Sequence, residues 1–194
     1  MTHDDSFGGS GAAPSHAAPS HAAPSHAAEP HRHGDVQGRK AGVVIASTRA
    51  AAGIYDDETG PVITDWLTEH GFEVFPAMVV PDGEPVGAAI RALLTQRPAV
   101  VITSGGTGLN SDDRTPDVTR PLLDREIPGI MEAIRRAGAA KTPLAALSRG
   151  YAGAAGKSFI VNLPGSPKGV MDGLTVLDPL IGHLCDQLEG NHGH

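Results

Sequence analysis

From Arg39 onward, short runs of branched aliphatic residues alternate with longer amphipathic segments, and this alternation most limits what the chain can fold into. AGVVIAST (41–48), AVVITSG (99–105) and KSFIVNLPG (157–165) are bounded by turn residues and are too short for typical helices, so they read as buried strands. FEVFPAMVV (72–80) reads as a further strand near an edge, because Pro76 has no N–H to give to a central ladder. Between the strands, PVITDWLTEHG (61–71) predicts a helix with Pro61 at its first position and Gly71 as its stop, and EPVGAAIRALLTQ (84–96) predicts another. Further helices are expected near 116–125, at 128–138 and at 167–188. Strands separated by helices pair in parallel through crossovers. The expected class is therefore α/β, a three-layer sandwich whose mostly parallel central sheet carries helices on both faces. Sheets of this kind bind ligands beyond the carboxyl ends of their strands, which puts the loops after Thr48, Thr103 and Leu163 on one side.

Composition narrows the function. With 40% hydrophobic but only 4% aromatic residues, the core must be Val, Ile, Leu and Ala packed between layers. A formal net charge of -7 argues against a nucleic-acid binder, which needs a basic surface to neutralise phosphates. The single cysteine, Cys185, has no partner for an internal disulfide and reads as core packing in a reducing compartment. No apolar run approaches the roughly 20 residues of a membrane span and no apolar leader opens the sequence, so the expectation is a soluble, cytoplasmic protein. Residues 1–35 are a different polymer, with AAPSH at 12–16, 17–21 and 22–26 and AAEPH at 27–31. Proline in every repeat and almost nothing apolar larger than Ala predict a disordered tail, leaving 36–190 as the folded domain. Six of the ten histidines fall in that tail, which reads either as a flexible segment titrating near neutrality or as a tract that binds Zn or Ni.

Two nucleotide-binding patterns fail. GYAGAAGKS (150–158) ends like a phosphate loop, but Tyr151 stands where its first glycine belongs and the segment precedes a strand instead of opening a helix. Gly106, Gly108 and Ser111 approach a dinucleotide fingerprint without its third glycine. What remains is Thr103-Ser104-Gly105-Gly106-Thr107-Gly108 after the most apolar strand, a loop whose backbone N–H groups can turn inward around an anion. Beyond it, Thr115, Pro116 and Asp117 have the chemistry of a helix start, with Thr115 as N-cap. Asp112 and Asp113 lie in the loop itself. They are either solvated, or they hold a divalent cation between themselves and a phosphate that they would otherwise repel. Asp82 in VVPDGEP (79–85) is either the cap of the following helix or a second such carboxylate.

Taken together and in order, the VPD turn, TSGGTG with D-x-TPD, ALSRG and NLPGSPKG resemble the molybdopterin adenylyltransferase family of molybdenum cofactor biosynthesis, which includes a domain of gephyrin. The likeness runs from about Arg39 to Leu188. It implies a trimeric enzyme that uses Mg2+ and ATP to adenylylate molybdopterin, with other molybdenum cofactor biosynthesis proteins as partners. It implies that Asp82 and Asp113 are the catalytic and metal-holding carboxylates. Ser104, Gly105, Gly106, Thr107 and Gly108 correspond to the pterin-phosphate cradle; Ser148, Asn162, Pro164, Gly165 and Ser166 correspond to the pterin side, and Asp57 to an element of the same pocket. Arg149 corresponds either to a phosphate clamp or to a surface residue, and Lys168 to a further position beside the pocket. The chain departs from the pattern at Asp112, where many members have arginine. Two other functions are consistent with the residues: a molybdopterin-binding module that holds or hands over the cofactor intermediate, and a metal store working through the tail.

Overall fold

A computed structural model describes residues 36–190 apart from Tyr55. The histidine-rich tail therefore lies outside the described residues. Within them, β1 (Lys40–Ala46), β4 (Val100–Ser104) and β7 (Ser158–Leu163) run side by side in parallel, with Ile45 opposite Ser104 and Ser104 opposite Leu163. The other neighbour of β1 is a strand in two pieces, β2 (Glu73–Val74) and β3 (Met78–Val80), with Ala46 opposite Val80. This register brings four carboxyl ends to one rim. On the far side, β6 (Ala152–Ala155) pairs antiparallel with β7, and β5 (Arg125–Glu126) pairs antiparallel with β6, to give the order β2-β1-β4-β7-β6-β5 with β3 also on β1.

The strands alternate with period two, so each face presents its own apolar set. Val43, Ile45, Val100, Ile102, Phe159, Val161 and Leu163 face one side. They are covered by α2 (Thr59–Glu69), α5 (Pro128–Ala139), α6 (Pro167–Leu177) and α7 (Ile181–Glu189) through Ile63, Leu67, Ile134, Val170, Leu174 and Ile181. Val44, Ala46, Val101 and Ile160 face the other side and meet α3 (Glu84–Thr95) and α4 (Thr115–Thr119) through Val86, Ile90, Leu93 and Val118. The three-layer α/β class is as expected. Cys185 sits in the first of these cores with no exposed surface, and burial pushes its thiol up to about 12, so at neutral pH it is an un-ionised packing group. Among the described residues no helix is long and apolar enough to cross a membrane.

Several boundaries differ from the sequence reading for identifiable reasons. The segment 72–80 breaks into β2 and β3 around Pro76, which cannot donate to β1. Residues 150–158, where the phosphate-loop pattern fails, contain β6, which the sequence reading did not foresee, and a two-residue turn, Gly156-Lys157, in which Gly156 has φ 59°. Gly153 in β6 is glycine because a Cβ there would overlap the Arg125 carbonyl oxygen of β5. The helix expected near 116–125 shortens to α4 and one 3-10 turn at Arg120–Leu122, and the chain then enters β5. The long C-terminal helix is two, interrupted at 178–180, where Pro179 removes an N–H and Asp178 accepts from His70 Nε2 at 2.9 Å. A short helix, α1 (Thr48–Ala51), begins after β1, with the Ser47 hydroxyl accepting from the Ala50 N–H at 3.2 Å. Pro61 lies beyond the first position of α2, which starts at Thr59.

Candidate functional site

The rim of the sheet holds a cleft of about 710 Å3, lined by residues from each of the four rim loops and from the turn that leads into α2. Gly105 and Gly106 form its floor where β4 ends. Their backbones turn to positive φ, 94° and 61°, as the expected cradle requires. Space requires glycine as well. A Cβ on Gly105 would overlap the Ala46 carbonyl oxygen, and one on Gly106 would overlap the Thr115 hydroxyl and come within 3.0 Å of Asp82 Oδ1. That Thr115 hydroxyl is fully buried and has no hydrogen-bond partner among the described residues. Gly165 approaches from the loop after β7, and a Cβ on it would stand 3.1 Å from the Gly105 α-carbon.

Asp82 does not cap its own helix; Gly83 occupies the cap of α3 without a side-chain bond. Instead the Asp82 carboxylate crosses to β1's loop, where Oδ2 accepts from the Thr48 N–H at 2.9 Å and the Thr48 hydroxyl at 2.8 Å. Asp113 Oδ2 accepts from the Asn110 N–H at 2.9 Å and would lie 2.7 Å from a Cβ on Gly108. Asp57, one residue before the α2 N-cap Glu58, ties down the first turn of that helix: its Oδ1 accepts from the Thr59 N–H at 2.9 Å and the Gly60 N–H at 3.0 Å. Asp57, Asp82, Gly105, Gly106, Asp113 and Gly165 therefore meet in one cleft, joined by Asp112.

The remaining expected residues lie behind or beside it. The Ser104 hydroxyl, 1% exposed, donates to the Pro164 carbonyl at 3.0 Å and so ties the two loops together. Asn162 is buried, with Nδ2 donating to the Thr103 and Thr119 hydroxyls at 3.0 Å each and Oδ1 accepting from the Tyr151 N–H at 3.0 Å. All its polar atoms are engaged inside the fold. Ser166 caps α6 by accepting from the Gly169 N–H at 3.2 Å. Thr107 turns away from the cleft, its hydroxyl 3.4 Å from that of Ser148. Thr115 is the first residue of α4 and not its N-cap, which is Arg114.

Sequence reasoning missed Thr48, the donor that orients Asp82; the signal was Ser-Thr directly after an apolar strand, a helix-start pattern. It also missed how acidic the cleft is. Asp56, Asp57, Glu58, Asp82, Asp112 and Asp113 give six carboxylates, against one guanidinium, that of Arg49. Arg149 is engaged within the fold by its side chain. Its Nε donates to the Gly108 carbonyl at 2.8 Å, its Nη2 to the Asp113 carbonyl, and Nη1 and Nη2 to the two Asp117 oxygens at 3.1 Å each. The hydrogen bond to Asp117 raises the Arg149 pKa above its ordinary value. A second cavity, of about 830 Å3, opens among Arg39, Arg97, Asp124 and Lys157 at the amino ends of the strands and contains none of the expected site residues.

Chemically, the floor presents main-chain amides to an anion and the walls present carboxylates. Asp82 Oδ1 and Asp113 Oδ1 accept no hydrogen bond among the described residues and are available to a hard cation. Among the described residues no three His, Cys, Asp or Glu side chains converge into a metal site of their own.

Residues 42–183 match a family described as a probable molybdopterin binding domain. The chain is 40% identical over 163 residues to a molybdenum cofactor biosynthesis bifunctional protein of Synechococcus elongatus, an alignment covering 82% of this chain and 51% of that one. It is 34% identical over 155 residues to a molybdopterin adenylyltransferase of Helicobacter pylori, covering 78% and 88%. It thus spans about half the length of the bifunctional relatives and most of the length of the single-function one. Among solved structures, the molybdopterin biosynthesis Mog protein of Mycobacterium ulcerans superposes with a TM-score of 0.76 at 49% identity, covering 79% of this chain and 99% of that one.

Proposed function

Because the chain belongs to the molybdenum-cofactor-biosynthesis family of probable molybdopterin binding domains, we propose that it transfers an adenylyl group from ATP to molybdopterin. A terminal phosphate oxygen of the pterin attacks the α-phosphorus of ATP, the bond to the β-phosphate oxygen breaks, and pyrophosphate leaves. Both reagents are anions, so the task is positioning and charge neutralisation, not covalent catalysis. The observation that carries the reading is the shared cleft, in which Asp82 and Asp113 stand at a floor of inward-turned glycines.

In this reading the Gly105–Gly106 amides receive phosphate oxygens, Thr107 and Gly108 complete the loop that forms this cradle, and Ser148 lies on the pterin side. Asp57, Gly165 and Ser166 shape the pocket, while Asn162, Ser104 and Pro164 keep its loops in place. Asp82 and Asp113 would hold Mg2+, for which two carboxylates plus substrate phosphates are a sufficient donor set. When bound, the ion supplies the positive charge that lets a polyphosphate approach an acidic wall. The reaction takes place in the cytoplasm, beside other enzymes of molybdenum cofactor biosynthesis.

The test is to incubate the protein with molybdopterin and Mg-ATP and weigh the product. An adenylylated pterin and one pyrophosphate per turnover are expected. Recovery of unaltered pterin would instead leave the holding function, which Asp112 favours by adding an anion to the nucleotide's surroundings.

The reading includes a homotrimer. Leu144, Leu147 and Met171 are 50% or more exposed on the 3-10 turn at Pro143–Leu147 and on α6, both of which pack against α5. Apolar surface of this kind suits subunit contact. Sedimentation equilibrium should return three times the chain mass; a monomer at micromolar concentration would refute it.

A further inference from the structure

We infer that Arg149 is the positioning residue for the Asp113 carboxylate, an assignment that rests on the adenylyl-transfer reading above. Between Gly105 and Thr115 the chain forms no strand or helix. Its internal ties are four: the Asp113 N–H donates to the Asn110 carbonyl at 3.1 Å, the Asn110 N–H to Asp113 Oδ2 at 2.9 Å, the Arg114 N–H to the Asp112 carbonyl at 2.7 Å, and the Thr115 N–H to the Gly106 carbonyl at 3.0 Å. Three of these are turns within Asn110–Arg114 and the fourth closes the ends of the loop, so the segment, rich in glycine and exposed at Leu109, has no internal reason to hold one position against the rest of the fold.

Arg149 supplies that reason from outside. Its planar guanidinium reaches the Gly108 carbonyl on one side and the Asp113 carbonyl on the other, while its own N–H donates to the Thr107 carbonyl at 2.9 Å. The two carbonyls bracket the segment that carries Asp112 and Asp113. Asp117 in α4 accepts two parallel hydrogen bonds from the same guanidinium, anchoring it to the helix that follows the loop. Four of the five side-chain N–H groups are thereby engaged in the fold. Arg149 therefore acts on the cleft through the backbone of Asp113, not by touching a phosphate.

This fork requires arginine. A lysine keeps the charge but offers one ammonium on a flexible stem, which cannot reach the Gly108 carbonyl and both Asp117 oxygens together. The two roles therefore separate cleanly: if Arg149 served by its charge alone, lysine would restore function, whereas a brace is lost with lysine as with glutamine.

The experiment compares full-length wild type with R149K, R149Q and D117N, each checked for an unchanged thermal transition. In pyrophosphate release, R149K and R149Q are expected to raise the Mg2+ concentration for half-maximal rate by about tenfold or more and to lower kcat by a similar factor. The KM for molybdopterin should stay within about twofold, because the pterin side does not depend on the Asp113 backbone. D117N should shift the same quantities in the same direction, and the double variant R149K/D117N should be no worse than R149K alone. Hydrogen exchange without substrates gives a separate readout: the Asn110 and Asp113 amides should exchange about tenfold faster in R149K. If R149K matches wild type in Mg2+ requirement and in exchange, the brace is refuted. If wild type makes no adenylylated pterin, the transfer reading fails, and the exchange rates together with Mn2+ binding in the presence of a non-hydrolysable ATP analogue still decide for or against the brace.

Discussion

Asp113→Asn is expected to slow Mg2+-dependent pyrophosphate release by about a hundredfold or more while leaving the unfolding transition in place. Both halves follow from what the side chain touches. Asp113 Oδ2 accepts one hydrogen bond, from the Asn110 N–H, and an asparagine oxygen accepts the same bond. The local turn therefore survives. What is lost is the negative charge beside the glycine floor, and with it the hold on a hard cation. Steady-state rates over a Mg2+ titration, with a parallel thermal melt, check the prediction. Wild-type turnover in the variant would remove Asp113 from the machinery, and a collapse of the melt would show that its role is structural.

Gly105→Ala should have the largest effect on the fold. At φ 94° an alanine is strained, and its Cβ would overlap the Ala46 carbonyl oxygen, a backbone atom of the neighbouring strand that has no rotamer to escape into. Gly165 closes the other side, so the loop cannot retreat that way. A loss of about 3 kcal/mol or more is expected, from left-handed strain together with overpacking between two parallel strands. Urea unfolding at constant temperature measures it. A variant as stable as wild type would mean that the loop relaxes away from β1 and that Gly105 does not form a fixed cleft floor.

The sheet's centre was legible because its signal is local and strong. Val43 to Ala46, Val100 to Ile102 and Phe159 to Val161 are apolar on both faces, as expected of parallel strands between two helical layers. β6 was not legible, since Ala-Gly-Ala-Ala has no strand propensity and becomes a strand only because β5 and β7 offer ladders on either side. The break at Pro179 was visible as a residue but not as a turn, because α6 and α7 both bury apolar faces in the same core. In the site, the glycine floor and the carboxylates were readable from residue type and order. Thr48 holding Asp82 and Arg149 holding Asp113 are contacts across 34 and 36 positions of chain, and no periodicity encodes such a distance. Asn162, which the resemblance assigns to the pterin side, is a buried β7 residue whose side chain bonds Thr103, Thr119 and Tyr151, partners that no local pattern brings together.

The two borders of the sheet are slight: β5 is two residues, and the opposite margin is the β2 and β3 pair with Pro76 between its halves. Glu73, Arg125 and Glu126 add charge at these margins. Among the described residues a strand from another molecule finds no long row of free edge amides on which to extend the ladder, a guard against edge-to-edge pairing of this sheet. Among the described residues, self-association is thereby left to helices and loops, where side-chain fit, and not indiscriminate backbone pairing, chooses the neighbour.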